Sequence, residues 1–445
     1  MKIIGHATVA TLGTNHQVIE DGAVAFDEKK IHGIGTTDEL KKRFPKAKFE
    51  SANGLLLTPG LINAHMHLYS TFARGIALKD APPENFVQIL ERLWWRLDKA
   101  LKPDDLYLTA MIPLLEAVRS GVTTLIDHHA SPHAIGGSLN TLQQAFRKCG
   151  VRGCLCYEIS DRDGASRRDA GLEENANFIR GIKLDSEPDM AAMMGLHASM
   201  TIEDSTLARA AELAKGLKVG CHIHVCEDKA DLEDARKRGF RSVIDRLHRV
   251  GLTGPDSIFA HCVHVDEMDI HTLALTRTNV AHNPRSNMNN AVGCANIELM
   301  MKEKVPVMMG TDGMSPSPLP DFALANILHK HQAGDPRKAY GEVWKMYSQS
   351  NPALASNIFK TPIGVLEEGA ASDMVIWNYL PPTPINAGNT LGHMLFGLTG
   401  ATVNTTICRG KKIYDDGKLT FLAEGEEAEM CAKSRELARS LWERF

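Results

Sequence analysis

Two hydrophobic periods alternate along this chain. From about residue 60 to residue 313, short apolar runs are separated by longer stretches whose apolar residues recur every three or four positions. The runs are Gly60–His67, Thr123–Ala130, Val151–Ile159, Ala191–Ser199, Val219–Val225, Ser257–Val265, Asn279–Asn283 and Val305–Thr311, eight in all. The stretches between them include Asp104–Ser120, Gly137–Cys149, Glu203–Lys215, Asp231–Val250 and Asp321–Gln332. Strands alternating with helices predict βα units and a parallel sheet. Eight units over a span of this size fit a closed, TIM-like (β/α)₈ barrel better than an open sheet.

The flanks read differently. Val18–Ile34 alternates around Asp27-Glu28-Lys29-Lys30, a hairpin signal. Asp373–Trp377, Asn404–Arg409 and Lys412–Lys418 are short predicted strands, the last holding the turn Asp415-Asp416-Gly417. Neither flank alone can bury a sheet. Packed together they predict a small β-sandwich domain built from both chain ends. The expected division is 1–58 with 360–445 as this composite domain and 59–359 as the barrel. Residues 425–445 predict a charged amphipathic helix carrying Met430, Leu437, Leu441 and Trp442, docked on the body or on a partner subunit.

Composition narrows the class. At 445 residues and 43% hydrophobic, the chain can bury a large core and a smaller one. A net charge of −4 invites neither nucleic acid nor an anionic membrane. No apolar run approaches the roughly 18 residues a bilayer span needs. Met1–His6 lacks the apolar core of a signal peptide. Nine cysteines form no repeated C-x-x-C pair, and Cys154 and Cys156 sit in an apolar strand pattern. Reduced thiols in a cytoplasmic protein are expected.

The chemistry concentrates at predicted strand ends, where a (β/α)₈ barrel carries its active site. His65 and His67 end the first strand two residues apart, so they share a face. Asp127, His128 and His129 end the second strand, and His197 lies near the end of the fourth. His222, His224 and Glu227 surround the end of the fifth, His261 and His264 end the sixth, His282 the seventh and Asp312 the eighth. Buried imidazoles and carboxylates without partners are costly, and convergence on one divalent metal removes that difficulty. His65, His67 and one further histidine would supply nitrogens and Asp312 an oxygen. A metal of this kind lowers the pKa of water toward neutrality and generates a hydroxide nucleophile. Glu227, three residues beyond His224, is placed to shuttle protons without binding the metal.

These residues fall in motifs that occur in a fixed order. They are Pro59-Gly60-Leu61…His65-Met66-His67, His224-x-x-Glu227, Ala260-His261-Cys262, His282-Asn283-Pro284-x-Ser286-Asn287 and Gly310-Thr311-Asp312-Gly313. Gly364-x-Leu366-x-x-Gly369-x-x-x-Asp373 follows them. The series resembles the amidohydrolase superfamily, in its aminohydrolase and chlorohydrolase branch. The resemblance implies that His65, His67, His224 and Asp312 hold one metal, Zn²⁺ or Fe²⁺. It implies that Glu227 protonates a ring nitrogen and that His261 polarises the water or the leaving group. Asp312 would also accept the water's proton. Binuclear relatives carry a carboxylated Lys at the end of strand four, where this chain reads Gly195-Leu196-His197, so one metal is implied.

The implied activity is hydrolytic deamination of a small amino-substituted heterocycle, purine- or pyrimidine-like, by a metal-bound hydroxide in a homodimer or larger homo-oligomer. Loss of chloride or of a cyclic amide on the same site is the alternative. A non-catalytic partner protein with a relic barrel is the remote one.

Plainer readings stand beside these. His222 shares the face of His224 and is either ligand or structural neighbour. His128 and His129 point to opposite faces, and His129 is read at the site. His197 stands open between substrate contact and core, and His264 reads as a supporting or surface residue. Trp94 and Trp95 fall on a helical stretch where packing of a lid competes with stacking on substrate, Trp95 being the candidate contact. Asn287 and Arg74 are further candidate contacts, although arginines at a barrel rim, Arg74 and Arg285 alike, are usually just solvated.

Overall fold

The computed structural model describes residues 1–185, 187 and 189–445. Eight parallel strands form the barrel, each near one of the eight apolar runs: Leu61–Met66, Val122–His129, Arg152–Tyr157, Met194–Ala198, Cys221–Val225, Ile258–His261, Asn279–His282 and Val307–Met309. The first three, with the short strand Met190–Ala192, hydrogen-bond as one sheet, and the last five as another. Two isolated parallel bridges, Met66 with Asp312 and Ile159 with Leu196, join the sheets and close the cylinder. The first of these sets the end of strand eight against the end of strand one. Gly310 permits that approach, since a Cβ there would lie 2.4 Å from Asn283 Oδ1 and 2.8 Å from the His65 Cβ.

Helices cover the outside of the barrel. Pro103–Arg119, Ser138–Cys149, Asp204–Leu217 and Leu319–Ala333 match their predicted stretches within a few residues. The stretch predicted over Asp231–Val250 is two helices, Lys229–Lys237 and Val243–Arg249. Gly239 takes a left-handed φ of 89° and ends the first. Ser242 caps the second through its bond to Asp245 N. Beneath the helices the core is continuous from Leu61 through Leu125, Leu155, Ile223 and Phe259 to Val307, all buried.

Both chain ends contribute to one nine-stranded sheet. The N-terminal hairpin pairs Val18–Phe26 with Ile31–Thr36, and Asp27 Oδ1 accepts from Lys29 N and Lys30 N in its turn. Met374–Trp377 pairs with Leu56–Pro59, the strand that leads straight into the barrel. A buried ion pair, Arg152 Nε to Asp373 Oδ2 at 2.8 Å, fastens this sheet to barrel strand three. The C-terminal helix Glu426–Arg444 docks on the body: Trp442 Nε1 donates to Phe72 O and Arg444 pairs with Asp105. Among the described residues no helix is long and apolar enough to cross a membrane, and all nine cysteines are free thiols.

Candidate metal centre and active site

Four side chains from three strand ends converge at the mouth of the barrel. One nitrogen each from His65, His67 and His224 and one oxygen from Asp312 lie within 4.8 Å of one another. His65 is fully buried, and the other three are 7 to 9% exposed.

The tautomers of these imidazoles decide what the cluster can hold. His67 Nδ1 lies 2.6 Å from the carbonyl oxygen of His128, and His224 Nδ1 lies 2.7 Å from that of His197. A carbonyl only accepts, so both Nδ1 atoms carry a proton, and each ring in its neutral form presents a lone pair at Nε2. Those two Nε2 atoms face each other at 3.0 Å. Asp312 Oδ1 lies 3.0 Å from His67 Nε2 and 3.5 Å from His65 Nε2, which has no hydrogen-bond partner. Lone pairs and a carboxylate crowded in a buried space repel unless positive charge sits among them; burial opposes a charge on His67, but Asp312 and Glu158 outweigh it and hold that imidazole well above its ordinary range. The donor set therefore fits one divalent ion of the kind bound by neutral imidazole and carboxylate. Burial pushes the His65 imidazole down to about 3 and holds His224 well below its ordinary range, which keeps both neutral.

Supporting contacts orient these donors. His65 Nδ1 meets His222 Nε2 at 2.9 Å, which leaves the Nε2 lone pair of His65 for the centre. His222 is thus the structural neighbour and His224 the member of the cluster. Asp127 Oδ1 accepts from Leu68 N at 2.8 Å and pins the turn that carries His67. Ser286 Oγ donates to Asp312 Oδ2. Cys226, His261, Cys262 and Asp312 all hold left-handed φ values between 48° and 74° at the ends of strands five, six and eight. Such backbone persists where surrounding structure enforces it, as around a site.

A second set of groups lies beside the cluster. Glu227 Oε2 is 3.4 Å from His261 Nε2, and one donor atom each from Glu227, His261 and Asp312 lie within 4.8 Å of one another. Burial raises the Glu227 carboxyl well above its usual range, and the Asp312 charge adds to this. Asp312 goes the other way. Burial opposes its charge, but the adjacent His65 and His67 imidazoles outweigh burial and hold it well below. Asn287 Nδ2 donates to His261 Nδ1 at 2.7 Å, so neutral His261 keeps its proton on Nε2, facing the site. Asn290 Nδ2 donates to Glu227 Oε1 at 3.2 Å. The asparagine-rich turn after strand seven thus holds both groups in place.

The cluster opens into a pocket at the barrel mouth. Phe86, Leu90, Trp94 and Met200 form its apolar wall, and Asp98, Glu158, Asp228 and Asp231 join Glu227 and Asp312 as its carboxylates. The wall helix widens into a π turn at Leu90–Trp94, which re-aims Trp94. Gly313 makes room for that ring, since a Cβ there would lie 3.2 Å from the indole.

Several expected contacts lie elsewhere. His129 is packed behind strand two between Tyr69 and Tyr157, with Nε2 on Ser131 Oγ at 2.9 Å, while His128 packs edge-on against the cluster with its centroid 4.7 Å from that of His224. The expectation of His129 at the site is corrected by the pleat, which turns the other face of the strand inward. Trp95 packs on His197, centroids 6.5 Å apart, and Trp94 lines the pocket in its place. Arg74 is corrected too: both its Nη atoms hold Glu116 on the surface. Asn287 touches His261 rather than open pocket, while His197 does line it.

Glu158, at the end of strand three, escaped the sequence reading. It is 4% exposed, and its Oε1 lies 3.1 Å from His128 Nδ1 and 3.3 Å from His67 Nδ1. Burial opposes its charge, but neighbouring His128 outweighs burial and holds the carboxyl well below the usual range. The signal was a single acidic residue near the end of the run Val151–Ile159, whose other charged residue is Arg152.

Comparison with known proteins places this geometry in context. The model of the amidohydrolase family matches residues 56–413. The chain is 30% identical over 410 residues to a 5-methylthioadenosine/S-adenosylhomocysteine deaminase of Moorella thermoacetica, covering 91% of this chain and 92% of that protein. It is 28% identical over 438 residues to a 5′-deoxyadenosine deaminase of Methanosarcina mazei, covering 98% and 97%. The fold is similar to that of a zinc-bound adenosine deaminase from Xanthomonas campestris, with a TM-score of 0.84 at 22% identity over 99% of this chain and 98% of that one. It is also similar to that of an atrazine chlorohydrolase from Arthrobacter aurescens complexed with zinc, with a TM-score of 0.82 at 19% identity over 98% and 100%.

Proposed function

The chain belongs to the amidohydrolase family, and we propose that it is a metal-dependent aminohydrolase that removes ammonia from an amino-substituted nitrogen heterocycle by hydrolysis. One observation carries this reading. A carboxyl held well above its usual range, Glu227, and one held well below it, Asp312, stand with His261 at the rim of a three-imidazole cluster. Two titratable groups whose environments push them apart are the pattern of paired acid and base roles.

In this proposal His65, His67, His224 and Asp312 hold one zinc ion. When bound, the ion supplies Lewis acidity that lets water lose a proton near neutral pH. The Asp312 carboxylate accepts that proton. Glu227 delivers one to the ring nitrogen beside the amino-bearing carbon. His261, with its proton on Nε2, donates to the oxygen as it attacks or to the departing amine. Residues 59–359 form the catalytic barrel in this reading, and residues 1–58 with 360–445 the composite domain. Deaminase names among the relatives favour a purine ring.

The test is metal analysis followed by an ammonia-release screen over purines, pyrimidines and triazines. About one equivalent of zinc and ammonia from at least one ring are expected. Glu227→Gln should keep the metal while kcat falls roughly 10²–10⁴-fold, the usual weight of a positioned acid/base. Unchanged turnover in that variant would sink the assigned role. Release of chloride or of a ring-opened acid without ammonia would replace the reaction.

A further inference from the structure

Most of the apolar wall of the pocket belongs to one segment. It leaves the barrel through the turn Leu68–Ala73, crosses a largely exposed loop and returns as the unbroken helix 86–100, which carries Phe86, Leu90 and Trp94. Loop and helix are tied to each other. Arg92 Nη1 donates to Ala81 O at 2.8 Å and to Pro82 O at 3.0 Å, and Arg96 pairs with Asp80 at 2.5 Å. The segment therefore behaves as one unit. Across the mouth it meets Met200, Val263 and Val292 through a small apolar cluster around Phe86 and Leu90. Apolar contact is non-directional, so it buries the wall without fixing where the wall stands.

Directional bonds at both ends of the segment come from the C-terminal helix Glu426–Arg444. At the start, Trp442 Nε1 donates to Phe72 O at 2.7 Å. Its indole lies beside Gly75, where a Cβ would be 3.9 Å from the ring and where the backbone takes a left-handed φ of 83°. At the far end, Arg444 Nε donates to Ala100 O at 3.0 Å. Ala100 is the last residue of the wall helix, where carbonyls lack intrahelical partners and a cation suits the dipole. Arg444 Nη2 also holds Asp105 Oδ2 at 2.5 Å, and that oxygen accepts from Lys102 N at 2.8 Å at the start of the next helix, Pro103–Arg119. The C-terminal helix is itself anchored, by fully buried Leu441 and by Glu426 on Lys148 at 2.9 Å. Other ties are the exposed Arg74–Glu116 pair, which is weak, and Asp98–Arg162 and Lys99–Asp163, which hold only the far end. We propose that Trp442 and Arg444 are positioning residues: they strap both ends of the wall segment, so that Phe86, Leu90 and Trp94 stand against the substrate. The inference takes its pocket from the proposed function and adds a distant element that sets the shape of that pocket.

The test compares the metal-loaded parent with two variants. Trp442→Phe keeps an aromatic ring and loses the N–H donor, and Arg444→Met keeps the apolar stem and loses the guanidinium. Hydrogen exchange read by mass spectrometry reports the wall. Loss of one such bond shifts a local opening equilibrium about threefold or more. Amides in 86–100 should exchange faster by that factor, while those of the barrel helix Asp204–Leu217 keep the parent rate. On the ring that releases ammonia in the screen above, KM should rise about threefold or more with kcat within about twofold, because the wall holds the substrate and touches no reacting atom. A role in folding alone speeds exchange equally in both helices, or lowers kcat with KM unchanged, and overturns the proposal. So does unchanged exchange over 86–100, or faster exchange there with the KM of the parent. Where no ring releases ammonia, the proposed reaction fails by itself, and exchange over 86–100 alone decides whether the strap exists.

Discussion

His222 offers a direct test of the wiring behind the proposed metal centre. Its ring is buried and its Nε2 accepts from His65 Nδ1 at 2.9 Å in the tautomer that frees His65 Nε2. His222→Phe keeps a ring of similar bulk and removes the acceptor. A buried donor stripped of its acceptor costs about 1–3 kcal/mol. Where that cost falls can be worked out. Without metal, His65 can move its proton to Nε2 and donate toward Asp312 Oδ1, 3.5 Å away, escaping most of the penalty. With metal bound at Nε2 that route is closed, so the cost falls on binding. The zinc Kd should rise roughly 5- to 150-fold, in line with supporting ligands of other metal sites. Competition against a chromogenic chelator measures it, and urea unfolding of chelator-stripped protein is the control. A Kd within twofold of the parent would refute the tautomer assignment. A loss of stability in stripped protein as large as the loss in binding would make His222 a packing residue.

Three further outcomes follow. Arg74→Ala should leave kcat/KM within about twofold and stability within about 1 kcal/mol, because its pair with Glu116 is on the surface. Asn290→Ala removes a donor that favours the charged form of Glu227, so the limb of the kcat/KM–pH profile that reports Glu227 should move to higher pH; a downward shift would contradict the contact. His329 is pushed down to about 4 by burial, while the unfolded chain takes up its proton near 6.5. Its folded pKa is depressed, so the stability it confers is lost as pH falls from about 6.5 toward 4. Between about pH 7 and pH 5.5 the parent should lose about 1 kcal/mol more than His329→Gln, read from urea midpoints. Parallel losses would show that the ring is protonated in the folded state.

The barrel was legible because its strands are buried on both faces and read as continuous apolar runs, while its helices keep a period near 3.6. Where local chemistry competes with period, the reading blurred. The stretch Asp231–Val250 carries helical spacing throughout, yet Gly239 and the Ser242 cap cut it in two. Spacing also placed His65, His67, His224, Glu227, His261 and Asp312 near strand ends, since residues two apart share a face and strand ends share a mouth. It could not say which of His128 and His129 turns inward, because one residue of register reverses every side chain on a strand. Arg74 and Arg285 show the same limit outside the strands. Both are cations near the rim, and both are taken by carboxylates, Glu116 and Asp321, far from them in sequence.

Least legible was the hydrogen-bond wiring that gives the imidazoles their direction. His67 and His224 turn their Nε2 atoms toward each other only because the carbonyls of His128 and His197 claim their Nδ1 protons. Main-chain carbonyls carry no residue signature, so no motif announces them. The same wiring explains why this barrel end tolerates so many neutral histidines. Each ring at the mouth that hands one proton to a fixed acceptor keeps a lone pair for the centre or the pocket, and each therefore calls for a cation or a donor there. His65, His67 and His224 make that demand where a metal fits. One rule, counting protons against fixed carbonyls, thus locates the ion's share of the site.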